Sequence, residues 1–196
     1  MRYLLGFVAL GAMLPSSSAS AAVLLGATVS EEYRVPDLGT PYLEAVYSPQ
    51  VFEVGAGQES AITIEGVTTF NIDFADTSLL IAFDTVLANP TLGNSSFNGL
   101  VFTSTAFSQI TGAAVDATTN LAGFDASRVA IVGNELRLNF AGLSYDTDTA
   151  LALNFSSQVS AIPEPASWAM MMLGLGFVGG AMRSTKQRQK VAASYT

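Results

Sequence analysis

The stretch Thr69-Phe70-Asn71-Ile72-Asp73-Phe74-Ala75-Asp76-Thr77-Ser78-Leu79-Leu80-Ile81-Ala82-Phe83 holds two alternating runs. Phe70, Ile72 and Phe74 are separated by single polar residues. After the turn-like Ala75-Asp76-Thr77, Leu79, Ile81 and Phe83 resume the rhythm. A period of two sends successive side chains to opposite faces of a strand, so one set is buried and the other meets water. Helical periodicity is poor here, and the spacing predicts two strands.

Working outward, Ile62 and Ile64 alternate ahead of Gly66. Val129 and Ile131 face Leu136, Leu138 and Phe140 across Gly133-Asn134, a strong hairpin signal. Leu151, Leu153 and Phe155 form a last strand. Residues 22–29, 42–47, 51–54, 100–102 and 107–115 read as further strands, and 31–37 as a polar connection containing Pro36. Roughly ten short strands with turn signals about every 8 to 12 residues mark a β-sandwich or barrel. The expected core is Ile62, Ile64, Phe70, Ile72, Phe74, Leu79, Ile81, Phe83, Leu136, Leu138, Phe140, Leu151 and Leu153.

Both ends differ from this body. Met1-Arg2 is a positive start, residues 3–14 are an apolar run too short to span a membrane, and Pro15 with Ser16 to Ser18 breaks it. Ala19-Ser20-Ala21 supplies a small-x-small cleavage site, so residues 1–21 read as a secretory signal peptide cleaved after Ala21 or Ala22. The body is 22–160. At the other end, Pro163-Glu164-Pro165 and Trp168-Ala169 precede a Gly-rich apolar run. The two prolines favour extended chain around them. The run predicts a single hydrophobic helix at about 168–182, short for the roughly 20 residues a span needs. Arg183, Lys186, Arg188 and Lys190 close it where the positive-inside rule expects the cytoplasmic flank, with Trp168 at the outer interface.

Charge is segregated. Five of the eight basic residues lie in the end segments, which leaves the body Arg34, Arg128 and Arg137 against fifteen acidic residues, a net charge of −12. Such a body repels phosphate backbones, so no nucleic acid is expected as partner. The chain has no His and no Cys, which excludes Ser-His-Asp triads, Cys-His nucleophiles, the usual zinc sites and any disulfide framework. Paired carboxylates, about 5 to 10 Å apart in glycosidases, remain possible, with Glu59, Glu65, Asp73 and Asp76 as candidates by class. No cofactor is expected beyond possible calcium, for which Asp146-Thr147-Asp148 and the loop from Asp116 to Asp125 are candidate oxygen donors.

The order Pro163-Glu164-Pro165, Trp168-Ala169, short Gly-rich apolar helix and basic end resembles the PEP-CTERM protein-sorting signal, in its PEPxxWA variant, over 161–190. The family usually ends soon after its basic residues, whereas 191–196 continue here. A tail of this kind is also labelled "ice-binding protein C-terminal domain". Thr103-Ser104-Thr105 and Thr147-Asp148-Thr149 are isolated triplets and make no ice-binding face. The resemblance implies export through the inner membrane by the Sec translocon and transient anchoring by the C-terminal helix. Cleavage by a membrane-embedded exosortase would follow, then release to the cell surface or outside, in association with exopolysaccharide and biofilm. The body, through Gly55-x-Gly57, Phe97-Asn98-Gly99-Leu100 and Phe124-Asp125, resembles jelly-roll-like passenger domains found ahead of such tails. The expected function is that of a non-catalytic surface or matrix protein, with Tyr33, Tyr42, Tyr47 and Tyr145 as candidate sugar-binding aromatics. The alternative is a carbohydrate-active enzyme using paired carboxylates.

Overall fold

A computed structural model describes residues 23–157 and 170–176. The strands are β1 (Thr28–Arg34), β2 (Ala45–Ser48), β3 (Val51–Glu53), β4 (Ser60–Ile64), β5 (Thr68–Ala75), β6 (Ser78–Thr85), β7 (Gly99–Thr103), β8 (Ile110–Val115), β9 (Val129–Val132), β10 (Glu135–Asn139) and β11 (Ala150–Ser157). β5 and β6 pair antiparallel about Asp76-Thr77, with Phe70 opposite Phe83, Ile72 opposite Ile81 and Phe74 opposite Leu79. All six side chains are buried, so the alternation read from the sequence is the pleat itself.

The pairings build two antiparallel sheets, ordered β3-β1-β7-β10-β9 and β2-β4-β5-β6-β11-β8. Their apolar faces close on each other. Phe74 of the second sheet meets Phe102 of the first edge-to-face, with centroids 5.1 Å apart, and Phe70 packs on Phe140 at 6.0 Å. Each fully buried side chain of this size contributes about 1.5–3 kcal/mol of burial free energy. Of the expected core, all positions are buried except Ile64, which packs against the core while partly open. Ala22–Val159 forms one compact unit, and the helical residues 170–176 belong to another.

Three expectations need correction. The first strand does not end at residue 29, and 31–37 is not simply a connection, because β1 runs from Thr28 to Arg34. Its inward positions are Val29, Glu31 and Tyr33, so a carboxyl occupies a core position and interrupts the apolar pattern. Residues 23–27 instead form a turn that buries Leu24 and reaches Val54, with Gly26 donating to Val54 O at 2.9 Å. The run 107–115 is divided. A 3-10 turn at Thr105–Gln109, capped by Ser104 Oγ, buries Phe107 before β8 begins. Tyr33 and Tyr145 are not exposed aromatics, being 2% and 7% accessible.

On the outer face of the first sheet, Val101 is buried although it points away from the core. Glu32 and Arg137 flank it in register. Arg34 pairs with Glu32 and Arg137 with Glu135, each at 2.6 Å, and their stems cover the apolar spot. These pairs are partly exposed, so their charge contributes little.

Candidate ligand cleft

One end of the sandwich carries a cleft of about 280 Å³, just below the usual range of small-molecule sites. One wall starts at the β4–β5 connection. Glu65 and Gly66 both have positive φ, 51° and 69°, and Val67 N donates to Ile64 O at 3.1 Å. Two successive left-handed residues suit a tight hairpin turn, and glycine takes that conformation freely whereas glutamate does not. The Glu65 carboxylate accepts a hydrogen bond from Tyr42 Oη. Tyr42 in turn lies tilted against Tyr33, centroids 6.1 Å apart.

The floor is aromatic and polar together. Tyr33 stacks on Phe70 at 5.7 Å and donates its hydroxyl proton to Asn98 Oδ1. Asn98 Nδ2 donates to Gly93 O at 3.0 Å. Tyr145 Oη and Thr68 Oγ1 are hydrogen-bonded at 2.8 Å, and Thr68 reaches Thr85 Oγ1 at 2.9 Å. The facing wall is the loop holding Leu87, Pro90, Thr91 and Leu92. It is tied down by Tyr145 N to Pro90 O at 3.0 Å and Leu92 N to Leu143 O at 2.9 Å. Asn89 in this loop is also left-handed, with φ of 50°.

The electrostatics favour neutral phenols. The hydrogen bond to Glu65, then burial and the charges of Glu65 and Glu44, push the Tyr42 hydroxyl up to about 12. Burial, followed by Tyr145, Tyr42 and Glu65, pushes Tyr33 up, and burial does the same for Tyr145. The cleft therefore presents the half-buried Tyr42 ring and the exposed Glu65 carboxylate over a floor of buried Tyr33, Tyr145, Thr68 and Asn98, with no Lys or Arg among its lining residues. That set suits a neutral polyhydroxylated ligand and disfavours anions.

The structure separates Glu65 from Asp73. Glu65 precedes the start of β5, and Asp73 sits five residues beyond Thr68, about 17 Å along the strand. That exceeds the span of a glycosidase pair. Glu59 accepts from Gly55 N at 3.0 Å and Phe74 N at 2.7 Å, and Asp76 from Val23 N at 2.6 Å and Leu24 N at 3.2 Å, so both hold backbone. Asp146 accepts from Asp148 N at 3.0 Å and Thr149 Oγ1 at 2.8 Å, closing its own turn. Bonds from neighbouring Thr118 and from Asn154 of β11 hold Asp116 below the usual carboxylate range, and bonds from Ser127 do so for Asp125. Among the described residues, no group of three or more acidic side chains could hold a metal ion.

Three of the four tyrosines named from the sequence meet at this cleft. Tyr47 instead lies behind it, its hydroxyl accepting from Tyr33 N at 2.9 Å. Asn98, Thr68 and the 87–93 wall were missed. Only the Asn-Gly pair at 98–99 hinted at them. Ala19, Ala21, Pro163, Glu164, Pro165, Trp168, Ala169, Arg183, Lys186, Arg188 and Lys190 lie outside the described residues. Among the described residues no helix is long and apolar enough to cross a membrane, and the expected helix at 168–182 extends past 170–176 on both sides.

Fold and site together define an all-β, two-sheet sandwich with a tyrosine-lined cleft at one end. The chain also carries a sorting address: residues 161–187 match the PEP-CTERM protein-sorting motif. That motif implies an exosortase-targeted, exported protein, anchored transiently by its tail and then placed at the surface. No curated protein and no solved structure matches the chain.

Proposed function

We propose that the processed protein is a non-catalytic surface or matrix component whose sandwich holds a neutral segment of exopolysaccharide in the cleft of Tyr42, Glu65 and Asn98. It reaches the membrane by the Sec translocon, and the basic cluster Arg183 to Lys190 stays on the cytoplasmic side until the exosortase cuts. The single observation that carries the binding reading is the pairing of half-buried Tyr42 with exposed Glu65 at one opening, above the buried Tyr33, Tyr145 and Asn98. The strained φ of Glu65 adds support, since backbone strain of this kind clusters at functional sites. The strand succession passes repeatedly between the two sheets, which supports a jelly-roll-like passenger.

The test incubates the host-processed protein with exopolysaccharide from the same host, with and without calcium, and measures retention and new reducing ends. Retention without cleavage is expected. Tyr42→Ala should weaken retention about tenfold or more, as loss of an aromatic contact and of the hydrogen bond that orients Glu65 would. Unchanged retention in Tyr42→Ala contradicts the cleft assignment. Release of reducing ends abolished by Glu65→Gln would replace the binding reading with the enzyme.

A further inference from the structure

At the start of the body, Val23 N lies 2.6 Å from Asp76 Oδ1, and Leu24 N lies 3.2 Å from the same atom. Asp76 belongs to the two-residue turn between β5 and β6, more than fifty residues away in sequence. The contact is fixed from both sides. Leu24 is fully buried, Ala27 N closes the turn onto Leu24 O at 2.8 Å, and Gly26 N donates to Val54 O and Val54 N to Ala27 O, each at 2.9 Å. On the other side, Ala75 pairs with Ser78, and Phe155 N donates to Thr77 O at 2.8 Å.

Among the described residues no cation is paired with the Asp76 carboxylate. Two peptide N–H groups face a carboxylate, and a peptide N–H carries no net charge. The ion pairs among the described residues all lie on the outer face of the first sheet and leave Asp76 without a cation. The body holds only three cationic side chains. Arg34 and Arg137 make those pairs, and Arg128 Nη1 donates to the carbonyls of Asn139 and Ala141.

We infer that Asp76 is the receptor for the amino terminus released by leader cleavage, and that cleavage falls between Ala22 and Val23. This rests on reading 1–21 as a cleaved leader. Hydrolysis of that peptide bond by a signal peptidase consumes one water, leaves a carboxylate on Ala22 and gives Val23 an ammonium group. The new cation then sits at the place where Val23 N already meets Asp76, and a hydrogen bond from an uncharged N–H to the carboxylate becomes an ion pair. Of the two cleavage positions the sequence allows, only this one puts the charge there. Cleavage after Ala21 would carry the ammonium one residue further out. Ser20-Ala21-Ala22 keeps the small-x-small pattern that such cleavage needs. Leader removal thereby adds a tie between the start of the body and the central β5–β6 hairpin that the precursor lacks.

The chain offers a clean readout. Residues 22–160 contain no Lys, so after both ends are removed the α-amine is the sole reactive amine. The exported, host-processed protein is sequenced at its amino terminus by peptide mass spectrometry and labelled at pH 7 with an amine-reactive ester, folded and in urea. The expected first residue is Val23. Labelling of the folded protein should be roughly three- to tenfold slower than in urea, because pairing keeps the amine protonated. The slowing should largely vanish in Asp76→Asn and shrink in about 1 M salt. A mature protein that starts at another residue, or labelling equally fast folded and unfolded, overturns the assignment of Asp76 and leaves export standing. A leader still attached to exported protein overturns the cleavage reading as well. Should Asp76→Asn fail to fold, the folded-against-urea and salt comparisons on the unchanged protein still decide.

Discussion

Glu31 occupies a position that an apolar residue fills in most sandwiches. It is 1% exposed, it reaches across from β1 to Ser60 at the start of β4 in the other sheet, and its Oε2 has no hydrogen-bond partner. Ser60 Oγ also lies 2.9 Å from Pro49 O, and one hydroxyl proton cannot serve both acceptors. Both contacts of the Ser60 hydroxyl are met when Glu31 is protonated, Oε1 donating to Ser60 Oγ while Ser60 donates to Pro49 O. Burial accordingly raises the carboxyl from its ordinary 4.5 to about 7. The sign follows from linkage: between these values the folded state binds more protons than the unfolded one. The stability contribution is therefore complete below about 4.5, falls as pH rises, and is gone above about 7. Its ceiling is about 3 kcal/mol. Denaturant titrations at pH 5 and pH 8 should show the parent losing stability relative to Glu31→Gln. Equal pH dependence in the two proteins would contradict a buried neutral acid. The same residue explains why β1 was not legible: a carboxyl at an inward position looks like a loop to any reading based on apolar alternation.

The elements read most faithfully are those whose turns and alternation agree. The β9–β10 hairpin was visible because Gly133-Asn134 separates two alternating runs, and Gly133 takes φ of 60° there. The β4–β5 turn carried only half of that signal, Gly66, since glutamate is a poor marker for a left-handed position. Glu65→Asn should relax this turn and raise stability by about 1 kcal/mol, because Asn tolerates the conformation better. The same variant shortens the side chain that holds Tyr42, so retention on exopolysaccharide should fall. A denaturation midpoint that rises while retention drops is the expected signature of strain kept for binding. A loss of stability would mean that the Tyr42–Glu65 bond outweighs the strain, contrary to this account. The cleft itself was legible only as a set of tyrosines. Which of them meet depends on pairings between strands far apart in the chain, and no local spacing encodes those. Hence Asn98, Thr68 and the 87–93 wall could be found only in the folded protein.

For the whole molecule, segregation is the organising fact: an acidic body without lysine lies between two basic, apolar ends. The sandwich has its own core, drawn from Leu24 to Leu153. The sorting motif was the most legible functional feature, because signature, apolar run and basic end follow one another within about thirty residues. Its recognition requires no long-range contact. The ligand of the body was least legible, since shape and hydrogen-bonding partners decide it. The central claim, an exported protein trimmed at its sorting tail, is tested most directly by the intact mass of the surface-associated protein from its native host. The account predicts a mass that begins at Val23 and ends shortly after Pro163-Glu164-Pro165. A mass that still includes Trp168 and everything through Thr196 would contradict it.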